Sequence, residues 1–200
     1  MTRPARLVFV GDSITDAGRD RSHAASLGHG YVHLIAEALG DEVHVVNVGV
    51  GGDRAVDLER RWNEDVEAAQ PDVLTVYVGV NDTWRRFDRD DPTSAEDFEA
   101  TVRRLLASDA ARRARLILVE PFVLPVRDDQ EGWLDDLAAK REVIARLAEE
   151  HGASFVPLHR LLTEAARTVG AAALAPDGVH PSAEGARRIA DAWLDASRRA

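Results

Sequence analysis

Short runs of β-branched and aliphatic residues alternate along this chain with longer stretches in which apolar positions recur at helical spacing. The apolar runs predict strands over residues 6–11, 43–48, 73–79, 115–120 and 154–157. The amphipathic stretches predict helices over 30–39, 55–69, 95–107, 133–151 and 160–169, with a last helix from 182 to 198. In the third helix Phe98, Val102, Leu105 and Leu106 fall at i, i+4, i+7 and i+8, one face of a helix. Ser94, with Asp97 three residues on, gives it a near-capping-box start. In the last helix Ala186, Ile189, Ala190 and Trp193 form the apolar stripe.

Strands such as Leu74-Thr-Val-Tyr-Val-Gly and Leu116-Ile-Leu-Val are apolar nearly throughout, as strands covered on both faces are. Five β-α units therefore predict an α/β fold: a three-layer α/β/α sandwich around a five-stranded, mostly parallel sheet, in one domain spanning 1–200. The turn-rich pieces, 12–29, 81–93, 121–132 and 171–181, follow strand ends or the penultimate helix. Ligands of open α/β sheets bind at that edge.

Composition narrows the chemistry. With no cysteine, disulfides, thiol nucleophiles and thiolate metal sites are excluded. A formal net charge of −10 argues against nucleic acid and against anionic membrane as partners, since both need clustered positive charge. Lys140 is the only lysine, which removes a lysine-based Schiff base or phosphate loop almost everywhere. The apolar run at 7–10 is too short for a signal-peptide core, and no stretch approaches a membrane span, so the expected compartment is the cytoplasm.

Four segments carry candidate chemistry. Gly11-Asp-Ser-Ile-Thr closes the first strand and puts Ser13 at the sheet's functional edge, although taken alone it also suits a helix cap. Thr15 stands where the nucleophile elbow of α/β-hydrolases has its second glycine, so that motif is absent. Asp177-Gly-Val-His180-Pro precedes the last helix. An acid three residues before a histidine can reach the imidazole Nδ1–H and leave Nε2 free as a base. Together with Ser13 these residues form a candidate nucleophile–base–orienter set in the order Ser, Asp, His. The loop Asn47-Val-Gly-Val-Gly-Gly-Asp53 has three glycines in four residues, and Arg54 breaks the dinucleotide-binding fingerprint there. The fourth segment is Gly79-Val-Asn81-Asp. The Asn81 amide, with the N–H groups of Ser13 and Gly52, would give three donors converging on one oxyanion.

These four blocks resemble the SGNH subgroup of the GDSL hydrolases, whose serine, glycine, asparagine and histidine are matched by Ser13, Gly52, Asn81 and His180, with Asp177 as third triad member. The order and block positions agree over essentially the whole chain. Gly52 is preferred because it lies five residues after Asn47, as in the family's second block, with Gly49 the alternative. The resemblance implies the flavodoxin-like SGNH hydrolase fold. Gly11-Asp-Ser-Ile-Thr-Asp-Ala-Gly-Arg, Gly30-Tyr-Val, Arg61-Trp-Asn-Glu-Asp-Val, Asn81-Asp-Thr-Trp-Arg-Arg-Phe-Asp and Glu120-Pro-Phe look like the bacterial intracellular acetyl-xylooligosaccharide esterases of the family. One departure is Pro176, where those enzymes carry tryptophan before the triad Asp; an aromatic wall is missing or supplied elsewhere, which weakens the claim on acetylxylan.

The expectation is a cofactor-free, metal-free serine esterase acting on small acyl groups, acetyl above all, on carbohydrate. Its triad is Ser13, His180 and Asp177, with an oxyanion site of Ser13, Gly52 and Asn81. Asp12, Trp84, Arg85 and Trp133 are the candidate substrate-binding residues, the two tryptophans in site-edge loops after strands three and four. Trp62 and Trp193 read as packing, and Arg85 and Arg86 equally as partners of Asp82, Asp88 or Asp90. His23, His29, His33, His44, His151 and His159 show no metal-ligand spacing. One rival is a lysophospholipase or acyl-thioesterase of the same family, disfavoured by the polar site-edge loops. A second is a non-hydrolytic carbohydrate-binding module of the same fold. Relatives of the narrower type form symmetric assemblies, which raises the expectation of a homo-oligomer.

Overall fold

Alternation within the strands decides the layering. In β1 (Ala5–Gly11), Leu7 and Phe9 enter one buried cluster while Val8 and Val10 enter another on the opposite face. The same division recurs in β3 (Val73–Tyr77), where Leu74 and Val76 oppose Tyr77, and in β4 (Arg115–Val119), where Leu116 and Leu118 oppose Ile117 and Val119. The structure, a computed structural model, describes residues 3–198; residues 1–2 and 199–200 of the expected domain lie outside it.

The chain runs β1, α1 (Ser13–Asp16), α2 (Tyr31–Leu39), β2 (Val43–Asn47), α3 (Ala55–Trp62), β3, α4 (Val80–Asp88), α5 (Ala95–Leu106), α6 (Asp109–Arg113), β4, α7 (Trp133–Glu150), β5 (Ser154–Val156), α8 (Leu158–Val169), α9 (Ala171–Leu174) and α10 (Ala183–Ser197). The sheet order is β2-β1-β3-β4-β5, and every pairing is parallel. Tyr31, Ile35, Leu158, Leu162, Ile189 and Trp193 bring α2, α8 and α10 onto one face; Leu58, Phe98, Val102, Ile144 and Leu147 bring α3, α5 and α7 onto the other. The bulkiest residue of the α10 stripe enters the core satisfied: the Trp193 indole N–H donates to the Thr75 hydroxyl at 2.9 Å. Leaving that donor unmade would cost about 1–3 kcal/mol.

The elements differ from the sequence pattern in two informative places. The helix expected over 55–69 is α-helical only to Trp62 and continues as one π-turn over Asn63–Glu67. The turn-rich piece after β3 is mostly the helix α4. Its stripe is Val80, Trp84 and Phe87, set among Asp82, Arg85, Arg86 and Asp88, so its composition reads as loop while its spacing is helical.

With β1 beside both β2 and β3, the order reverses between β1 and β3, and a crevice opens at that switch point beyond the strand ends. In register there, Phe9 faces Asn47 of β2 and Gly11 faces Tyr77 of β3. The serine turn, the glycine loop and the start of α4 thus leave the sheet side by side.

Candidate active site

Ser13 opens α1 directly after β1. The carboxylate of Asp12 caps that turn, its Oδ1 accepting from Ile14 N–H at 2.9 Å. Asp12 is buried, and burial pushes its carboxyl up to about 7. Behind the turn, the Thr15 hydroxyl and the Tyr31 phenol are 3.0 Å apart. The Asn47 side chain donates to the carbonyls of Thr15 and Leu27 at 2.7 and 2.9 Å, tying the end of β2 to the serine turn.

The turn before α10 brings an imidazole to this serine. Ser13 Oγ lies 2.9 Å from His180 Nε2, and His180 Nδ1 lies 2.6 Å from Asp177 Oδ2. The second Asp177 oxygen accepts the backbone N–H groups of Val179 and His180 at 2.9 and 2.7 Å. Burial raises the Asp177 carboxyl, but the His180 ring and those two N–H groups outweigh it and hold the acid below its ordinary range. Gln130, buried in the loop before α7, braces this turn by donating to the Asp177 carbonyl at 2.7 Å.

The glycine loop passes the serine closely: a Cβ on Gly51 would stand 3.7 Å from Ser13 Cβ. Gly51 N–H donates to Asp16 Oδ2 at 3.1 Å and Gly49 N–H to Asn47 Oδ1 at 2.9 Å, so both are engaged in holding the loop. Gly52, exposed beside them, has φ 89°, a left-handed conformation that suits glycine. Asn81 is buried in the first turn of α4, and both ends of its amide are fixed. Nδ2 donates to the Asp53 carbonyl at 3.0 Å, and Oδ1 accepts from Arg85 at 3.3 Å. The amide therefore keeps one free N–H.

The expected substrate-binding residues separate into front and back. Trp84 lies on α4, its ring 6.0 Å from the His180 ring, and Arg85 sits 5.5 Å over the indole while pairing with Asp88. Trp133 opens α7 at 2 % exposure and is packed behind Trp84, so it reaches the crevice only through its neighbour. Arg86 pairs with Asp136, a partner the sequence did not suggest. A cavity of about 330 Å³ opens on Ser13 and His180, lined also by Ala17, His29, Tyr31 and Ser182. Among the described residues no group of three or more His, Asp or Glu is placed to hold a metal ion, and no helix is long and apolar enough to cross a membrane.

A hydroxyl, an imidazole and a carboxylate thus lie in hydrogen-bonded line at the sheet's switch point. The chain belongs to the GDSL-like lipase/acylhydrolase family, whose model matches residues 9–188, and it is a carboxylic ester hydrolase. It is 35% identical to an acetylxylan esterase of Geobacillus stearothermophilus over 94% of this chain and 92% of that one. Among solved structures, a GDSL-like lipase of Parabacteroides merdae, so described provisionally, superposes with a TM-score of 0.92 at 31% identity, over 98% of this chain and 97% of that one. A catalytic mutant of Axe2, an acetylxylan esterase from Geobacillus stearothermophilus, superposes at 0.88 and 32% identity, over 98% and 96%.

Proposed function

We propose that this esterase removes acetyl groups from carbohydrate by a Ser13–His180–Asp177 triad with an oxyanion site formed by Ser13 N–H, Gly52 N–H and Asn81 Nδ2. The observation that carries it is the unbroken line from Ser13 Oγ through the His180 ring to Asp177, at 2.9 and 2.6 Å. Ser13 Oγ attacks the ester carbonyl while Nε2 takes its proton; Asp177 holds the tautomer and stabilises the imidazolium. The carbonyl oxygen, now anionic, turns toward the free N–H of Asn81 and the two backbone donors. His180 returns the proton to the departing sugar oxygen. It then deprotonates the water that releases acetate, and Ser13 is regenerated.

Carbohydrate is favoured by the Trp84 face beside the base, by the polar surroundings of Arg85 and Asp88, and by the acetylxylan esterases among the relatives. The Trp84 indole supplies an aromatic wall of the kind that Pro176 does not. Release of acetate from acetylated xylo-oligosaccharides, followed by mass spectrometry with Ser13→Ala as the blank, tests both parts. The expected result is acetate loss with wild type alone. An acyl series in which octanoyl esters outpace acetyl esters would instead support a lysophospholipase or thioesterase role, for which the 330 Å³ cavity offers room.

A further inference from the structure

We propose that Arg61, outside the triad and distant from it in sequence, is the positioning residue of the oxyanion site: one guanidinium that keeps Ser13, Gly52 and Asn81 in mutual register. The inference rests on the oxyanion assignment just made. Its basis is where the donors of this side chain go. Nη2 donates to the Gly11 carbonyl at 3.1 Å, two residues before the nucleophile. Nη1 donates at 2.6 Å to the carbonyl of Val48, where β2 gives way to the glycine loop. Nε donates at 2.7 Å to Oδ2 of Asp53, the neighbour of Gly52. The Asp53 carbonyl in turn accepts Asn81 Nδ2 at 3.0 Å.

The guanidinium thus joins two segments directly, the end of β1 and the loop after β2, and the third, the start of α4 after β3, is tied to that loop through the Asp53 carbonyl. Arg61 comes from the last turn of α3 and is 17% exposed, so the fork is held among neighbours and does not wave in solvent. Direct bonds also cross between the β1 and β2 segments, Val50 N–H to the same Gly11 carbonyl at 3.0 Å, Gly51 N–H to Asp16 and Asn47 Nδ2 to the Thr15 carbonyl. Arg61 adds to them a brace that reaches Asp53, on which Asn81 rests. An oxyanion site works only when its donors sit about 2.7–3.1 Å from one point, so small relative shifts of the segments matter. Lysine cannot substitute, because an ammonium is a point charge with no fixed fork to span several acceptors. Nη1 also pairs with Asp65 at 2.5 Å, a residue on none of the three segments, and this pair supplies the control.

The test uses Arg61→Lys, Arg61→Gln, Asp65→Asn and Asp53→Ala, with Ser13→Ala as blank and p-nitrophenyl acetate as substrate. For both Arg61 variants kcat should fall roughly 10- to 100-fold with KM within about threefold. Their affinity for methylboronic acid, which forms a tetrahedral anion on the serine, should fall by the same factor, and the pH profile should keep its shape because the triad is untouched. Asp65→Asn should lower Tm and leave kcat within about twofold, which separates positioning from bulk stability. If the Arg61 variants do not fold, Asp53→Ala removes the Nε link alone and should lower kcat and boronate affinity together, by a smaller common factor. Wild-type kcat in Arg61→Lys, or in Asp53→Ala where the Arg61 variants are lost, overturns the proposal. So does a loss in Asp65→Asn equal to that in Arg61→Lys. Full activity in Ser13→Ala would instead remove the serine mechanism itself, an outcome distinct from the others.

Discussion

Trp84 stands against His180 with ring centroids 6.0 Å apart and planes inclined at 55°. It is propped from behind by Trp133 at 5.2 Å, on which Phe87 stacks at 5.7 Å and 17°. The aromatic face nearest the base is therefore a fixed surface, and fixed faces lose little entropy when a ring lies on them.

Trp84→Ala should accordingly raise KM for acetylated xylo-oligosaccharides by roughly 3- to 10-fold, the value of one aromatic contact, while changing methyl acetate hydrolysis little. Trp84→Phe should recover most of the loss. Steady-state kinetics on the two substrates decide the matter: an equal loss on both would make Trp84 a support for His180 and not a sugar contact.

Ser13→Ala and His180→Ala should each lower kcat by about 10⁴–10⁶, and the double variant should add little, because a nucleophile without its base is already inert. A serine-directed organophosphate should label Ser13, as peptide mass mapping will show. Chelator should leave the rate unchanged, since every proposed step uses side chains and water; loss on EDTA with recovery on added zinc would count against the mechanism.

Asn81→Ala should cost roughly 10²–10³ in kcat with a smaller change in KM. The glycines should respond differently from one another. A methyl at Gly52 meets nothing within 4 Å but forces a side chain onto φ 89°, so Gly52→Ala should fold with a modest stability loss and a lower kcat. A methyl at Gly49 would lie 2.3 Å from Asp16 N, so Gly49→Ala should lose soluble, folded protein in a thermal-melt assay.

Asp82 gives the pH prediction. It is buried and accepts the Ala55 N–H that starts α3 at 3.1 Å, and burial pushes its carboxyl from 3.8 up to about 7. An acid raised on folding binds its proton more tightly in the folded chain, so its contribution to stability falls as pH climbs from about 4 to about 7. Asp82→Asn keeps an oxygen for the Ala55 N–H and removes the ionisation. Relative to wild type it should gain roughly 1–3 kcal/mol between about pH 5 and pH 8 in denaturant melts. Half-buried His159, whose pKa desolvation lowers to about 4, acts in the opposite sense but cancels in the comparison. A difference that stays flat across that range would show Asp82 ionised throughout.

The sheet was legible because its strands are apolar on both faces, a pattern visible residue by residue in Leu74–Val78. The Ser13–His180–Asp177 line was legible because each member carries a local sign: a strand end, a helix entry, an acid three residues from a histidine. Gln130 carries no such sign, and Arg61 is marked only by the resemblance of its segment, which says nothing of what the side chain holds. Each acts on backbone carbonyls supplied by distant segments, Asp177 for one and Gly11 and Val48 for the other, and a carbonyl is the same whatever residue bears it. The placement of Trp133 was missed for a related reason, since burial behind Trp84 depends on how α4 meets α7.

Ser13 and His180 are separated by 167 positions, yet their side chains touch. The order of synthesis follows from that. Because His180 follows Ser13 along the chain, a ribosome makes the serine turn first, and a chain halted before 177 has that turn without the imidazole that faces it. Copies terminated or clipped before 177 lack the contact between Ser13 and His180, and on the proposed mechanism esterase activity in a cell extract should report only on chains made past residue 180. A reporter fused after α10 follows both halves of that contact, whereas one that replaces the chain from 177 onward removes the His180 half and, on the proposed mechanism, should be inactive.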